Sequence, residues 1–195
     1  MKKLLLTTAF IGFSNFASAQ ELLITTTAIN DPQNLNAGTF LDREGSWNYS
    51  IKNMRANYAQ AKGYDGRIYN RAADGTLLDN VADGNVVVAV IDTGIDYKSA
   101  ELDGNLLTDK SVTCTSKGCA LGASSTSWHG TGVAGVIAAE RNGFGMQGVA
   151  FNSKIMAIKA IDTADGSIQQ GINYAATNKA AVINNSYAFT TNRGE

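Results

Sequence analysis

Three apolar stretches, separated by two stretches of helical spacing, set the pattern of this chain. Val86 to Ile91 is an unbroken apolar run rich in β-branched residues. A strand that alternates would leave one face polar; a run with no alternation predicts a parallel strand covered on both faces. Lys154 to Ile161 predicts a second strand and Ala181 to Asn184 a third. Between the first two, His129 to Glu140 reads as a helix packed with small residues. Ser167 to Asn178 places Ile168, Ile172, Ala175 and Ala176 on one helical face. Strands that alternate with helices define an α/β class with a mostly parallel sheet and right-handed crossovers.

Upstream the pattern changes twice. Ile51, Met54, Tyr58 and Ala61 recur at roughly helical spacing from Trp47 and stop at Gly63. Arg67 to Gly84 carries Asp74-Gly75 and Asp83-Gly84, which read as loop or hairpin chemistry. Gln20 to Ser46 is polar and irregular, with a turn at Asn30-Asp31-Pro32.

The first residues read as an address. Lys2 and Lys3 form a positive start, Leu4 to Phe16 an apolar core, and Ala17-Ser18-Ala19 a small-residue cleavage site. Residues 1–19 are therefore expected to be a signal peptide, with Gln20 as the first mature residue. No later stretch approaches the roughly 18 apolar residues of a spanning helix, so no membrane insertion is expected within the chain. The expected location is outside the cytoplasm: secreted, periplasmic or at the cell surface. Cys114 and Cys119 then meet an oxidising compartment, which predicts a small loop-closing disulfide; no neighbouring His or second Cys pair suggests zinc. A net charge of −1 argues against a nucleic-acid partner. Twenty glycines against one proline suit a fold with tight turns and close backbone packing.

The candidate chemistry sits beyond the carboxyl ends of the strands, where open α/β sheets gather function. Asp92 ends the first apolar run, in Asp92-Thr93-Gly94. On its own it reads equally as a turn former that caps its own backbone. His129, the chain's one histidine, alters that weighing. It opens a helix nearly bare of side chains at Gly130, Gly132, Ala134 and Gly135, so backbone can approach closely and fix the imidazole. A carboxylate accepting from one ring nitrogen leaves the other free as a base.

Asp92-Thr-Gly and His129-Gly-Thr-Gly-Val-Ala-Gly together resemble the Asp and His elements of the subtilases, the subtilisin-like serine peptidases. Lys154 to Lys159 resembles that family's strand after the histidine helix. Ala181 to Ser186 resembles its substrate-pairing strand, and Tyr58 to Gly66 the helix and turn that open its catalytic domain. The similarity runs from about Trp47 to Glu195, with an insertion near Arg67 to Gly84. It implies a three-layer α/β sandwich, here lacking its carboxyl-terminal part: residues 47–195 as a partial catalytic domain, with residues 20–46 as a polar extension. It implies Asp92 and His129 as catalytic residues, Asn184, Ser186 and Ala188 as the substrate edge, and a protein or peptide as substrate.

Gly132 stands where many relatives carry a second histidine, and Ala188 where a glycine is usual. The family's Gly-Thr-Ser nucleophile segment and its oxyanion-hole asparagine are absent from these 195 residues. Ser186 is a substrate-strand position and does not replace the nucleophile. The expectation is an exported serine endopeptidase that this stretch alone does not make active; a catalytically dead binding module is the alternative. No cofactor is required. The loop Glu140 to Met146 matches in position one that binds calcium in relatives, which points to Asn142 and Glu101 as oxygen donors. A dinucleotide fingerprint at Gly130 to Gly135 fails, because Leu121 to Trp128 is a poor strand and no acidic residue follows at about 20 positions. An aspartic peptidase fails for want of a second Asp-Thr-Gly.

Overall fold

A computed structural model describes residues 51 to 188, apart from Lys52, Ala164 and the side chain of Asn80. The expected signal peptide, the polar extension, the start of the domain at Trp47 and the residues after Ala188 lie outside the described residues. The apolar run becomes strand β3 (Val87–Asp92), one residue later than its expected start. Before it come helix α1 (Ala56–Ala61) and strands β1 (Arg67–Arg71) and β2 (Leu77–Asn85). After it come β4 (Val112–Thr115), β5 (Gly118–Leu121), helix α2 (Trp128–Ala138), β6 (Lys154–Lys159), helix α3 (Ile168–Thr177) and β7 (Val182–Asn184).

Five strands form one sheet in the order β5-β4-β6-β3-β7, parallel except for β5. β3 lies inside it, with Val87 to Asp92 in register with Lys154 to Lys159 on one side and Val88 to Val90 with Val182 to Asn184 on the other. Its side chains alternate between two cores. Val88 and Val90 join Ile155, Ala157, Ala134 and Ala138 beneath α2. Ala89 and Ile91 join Met156, Ile158 and Ala175 beneath α3. That division is why neither β3 nor β6 alternates in sequence: both faces are dry, and each buried Val or Ile contributes about 1.5–3 kcal/mol. The result is three layers, helix on sheet on helix, as the α/β reading expected.

Departures from the sequence reading have local causes. The helical spacing from Ile51 is interrupted: Ile51 and Asn53 are helical, Met54 and Arg55 form a turn with Arg55 in the left-handed region at φ 55°, and α1 starts at Ala56. Asp74-Gly75 does make the turn between β1 and β2: Gly75 has φ 86°, and Asp74 Oδ1 accepts the Thr76 N–H at 2.9 Å. Bonds from Thr76 hold the Asp74 carboxyl below the usual range. Asp83-Gly84 is no turn. It lies inside β2, where pairing steps from Ile68↔Gly84 to Tyr69↔Ala82 and leaves Asp83 as a bulge.

Cys114 and Cys119 sit opposite each other on β4 and β5 and are joined by a disulfide. β5 pairs only with β4 among the described strands, so this bond staples the sheet's antiparallel edge. Closing so short a loop is worth about 2 kcal/mol by chain entropy. Cys119→Ser in the full-length protein is expected to lower unfolding free energy by about that amount in denaturant titration; an unchanged midpoint refutes the staple.

Candidate active site

Two segments meet above the carboxyl end of β3. One is the turn Asp92-Thr93-Gly94 that leaves the strand; the other is the first turn of α2, which begins at Trp128. Glycines allow the approach. A Cβ on Gly130 would stand 2.2 Å from the Gly94 carbonyl oxygen, and one on Gly94, at φ 89°, 2.4 Å from the Ala123 carbonyl oxygen. Hydroxyls lace the segments together: Gly130 N–H donates to Thr93 Oγ1 at 3.1 Å, and Asp96 N–H to Thr131 Oγ1 at 2.9 Å. Ile95 continues the lacing in both directions, donating to Ala123 O and accepting from Ser125 N–H.

The closure brings Asp92 Oδ1 to 2.7 Å from His129 Nδ1. The Asp92 side chain is 1% exposed and that of His129 39%, so the carboxylate is sealed while the ring still faces solvent. Asp92 Oδ1 also accepts the Thr93 N–H at 2.7 Å. The turn-capping role that competed in the sequence is therefore real, and it coexists with the histidine contact. A carboxylate only accepts, so the geometry puts the imidazole proton on Nδ1 and leaves Nε2 as a base. The backbone oxygen of Asp92 is fixed too, accepting from Ala160 and Ile161 N–H.

The other expected residues are placed less tightly. Asn184 ends β7 opposite Val90, two positions before Asp92 on the neighbouring strand. Asn184 Nδ2 donates to Ser186 Oγ at 3.0 Å, and Ser186 and Ala188 are exposed. These three line one side of the same strand ends but are not drawn into the Asp92–His129 contact. Glu101 and Asn142 each bond backbone in or beside the 140–146 loop: Glu101 Oε2 accepts Met146 N–H, Asn142 Nδ2 donates to Ala100 O, and Asn142 Oδ1 accepts Phe144 N–H.

Thr93 and Thr131 were not singled out in the sequence, although each sits one or two places after a catalytic candidate. Tyr187 was also missed. Its hydroxyl donates to Asn185 Oδ1 at 2.9 Å, and burial together with the nearby Asp92 charge raises its pKa.

Comparison with known proteins places the chain in a family. The model of the Subtilase family (Peptidase_S8) matches residues 83–195, more than half of the chain. The chain belongs to the subtilase family, a class of serine peptidases. It is 36% identical over 140 residues to Subtilisin of Bacillus pumilus, covering 70% of this chain and 43% of that protein. It is 39% identical over 114 residues to the Cell wall-associated protease of Bacillus subtilis (strain 168), covering 56% of this chain and 12% of that one. The crystal structure of fervidolysin from Fervidobacterium pennivorans, a keratinolytic enzyme related to subtilisin, matches with a TM-score of 0.44 at 31% identity, over 51% of this chain and 16% of that one. The chain thus spans less than half the length of these relatives. Among the described residues, no helix is long and apolar enough to cross a membrane.

Gly130 supplies the test of this closure. Gly130→Ala forces its new methyl against backbone at Gly94, a clash expected to cost about 1–3 kcal/mol. The melting temperature of the full-length protein should fall; a variant that melts like the wild type would show that the close approach is dispensable.

Proposed function

We propose that this chain is the front part of the catalytic domain of an exported serine endopeptidase, with Asp92 and His129 as two members of its triad. The observation that carries the reading is the 2.7 Å contact between a sealed carboxylate and a half-exposed imidazole. Burying a charge is costly unless hydrogen bonds meet it, and one of the two donors here is an imidazole that stays 39% exposed, which favours a catalytic pair over a binding module. The family's nucleophilic serine segment and oxyanion asparagine do not occur among residues 1–195, so these residues alone would hydrolyse no peptide bond.

In the complete site, His129 Nε2 takes the proton of the serine hydroxyl as its oxygen attacks the peptide carbonyl carbon. Asp92 stabilises the imidazolium that forms. Collapse of the tetrahedral oxyanion expels the amine, which takes that proton from Nε2 and leaves an acyl-enzyme. Water then repeats the sequence and releases the acid. Asn184, Ser186 and Ala188 would hydrogen-bond an extended substrate as an added strand alongside β7. The substrate would be a protein outside the cytoplasm.

Asp92→Asn keeps the shape but turns the ring toward the wrong tautomer. In purified full-length protein, whose mature N-terminus is expected at Gln20, it should lower kcat by about 10⁴ with an unchanged circular dichroism spectrum. Undiminished kcat would rule out the triad.

A structural calcium ion is part of the same proposal. Glu101 and the carbonyl-rich 140–146 loop offer the oxygen donors calcium prefers, and Asn142 adds a side-chain oxygen. Millimolar calcium should raise the melting temperature of the full-length protein and Glu101→Gln should abolish the rise; equal melting with calcium and with chelator removes the ion from the reading.

A further inference from the structure

Trp128, the residue before the catalytic histidine, is 80% exposed among the described residues. A tryptophan left so open is unusual, since it is the side chain with the most to gain from burial. Its ring is not idle. It stands edge-on to the His129 imidazole, with centroids 5.5 Å apart and planes at 67°.

Helix geometry says where that ring projects. Trp128 is the first residue of α2, and helical side chains lean toward the amino terminus. The indole therefore stands in front of the helix end, on the same side as the imidazole. Nothing on its own helix crowds it: one turn on is Gly132, where an added Cβ would meet no atom within 4 Å, and the exposed Val136 follows. An apolar wall thus flanks the base that must work on the scissile bond.

We infer that Trp128 is a specificity-determining residue, forming with His129 an aromatic subsite that takes an apolar side chain of an extended peptide close to the scissile bond. The inference rests on the peptidase reading above. The chemistry follows from the surface offered. An indole face and edge reward aliphatic and aromatic side chains through area and ring contacts, and give a carboxylate nothing. Large exposed aromatics beside a site are also where binding energy concentrates. The contact forms with substrate and persists through reaction, so it acts on KM more than on kcat.

The test uses the full-length enzyme and matched peptides carrying leucine, phenylalanine, serine or glutamate at each position flanking the scissile bond. Wild type should prefer leucine and phenylalanine over glutamate at one of those positions. Trp128→Ala should reduce that preference about tenfold, through KM more than through kcat; Trp128→Phe should restore most of it. A preference unchanged in Trp128→Ala overturns the inference while leaving the peptidase reading intact. A fall in kcat equal for every peptide also overturns it, since that would make Trp128 a support for the imidazole alone. Failure of wild type to cleave any peptide overturns both.

Discussion

The Asp92 carboxylate is the constraint on which the rest of this site depends. It is buried at the mouth of a dry sheet, and a buried charge costs several kcal/mol unless hydrogen bonds meet it. Two donors converge on Oδ1, the Thr93 N–H and the His129 ring, while Oδ2 accepts no hydrogen bond among the described residues. Much of the surrounding structure serves to hold those donors. The two residues after β6, Ala160 and Ile161, fix the strand end from one side, and the glycines at 94 and 130 let α2 close from above. A site of this kind is stable only as a unit: loosening α2 would strand the carboxylate.

The parts of this fold that announce themselves in sequence are those where one physical demand acts alone. β3 and β6 are dry on both faces, so their apolar runs are unbroken and place the strands to within a residue or two. α3 is dry on one face, but that face carries Ile168, Gly171, Tyr174 and Ala175; Ile172 and Ala176, which the spacing grouped with them, are exposed. α2 is different. It combines small residues for close approach with an exposed outer side at Trp128, Gly132 and Val136, so it has no clear apolar stripe. Its position was legible instead from its run of small residues, which places it to within a residue or two. The break at Arg55 and the bulge at Asp83 could not be read, since both are set by contacts made after the chain has folded.

The site residues divide in the same way. Asp92 and His129 were legible because each is chemically costly where it stands, and such a residue needs a reason. Thr93 and Thr131 were not, because a threonine after a turn or inside a helix is ordinary in composition. Their hydroxyls become significant only when Gly130 and Asp96 N–H are seen to donate to them. Trp128 carried a signal that went unread: an aromatic residue beside the histidine, in a segment otherwise reduced to glycine, alanine, serine and threonine.

The two sides of the strand ends are held with different stiffness, and that difference suits their roles. On one side β3, β6 and α2 fix Asp92 and His129 through long register, two cores and cross-laced hydroxyls. On the other, β7 pairs with β3 at only three positions, and at its end Asn184 bonds to Ser186 and, just beyond, Tyr187 to Asn185. A proton relay tolerates little misplacement, because the effect of a base depends on hydrogen-bond reach. A surface that receives an extended chain gains from an open strand edge, since the incoming backbone supplies the missing ladder. Pairing and hydrogen bonds are therefore densest where proton transfer would occur, and the more sparsely paired edge lies where a substrate would add its own hydrogen bonds.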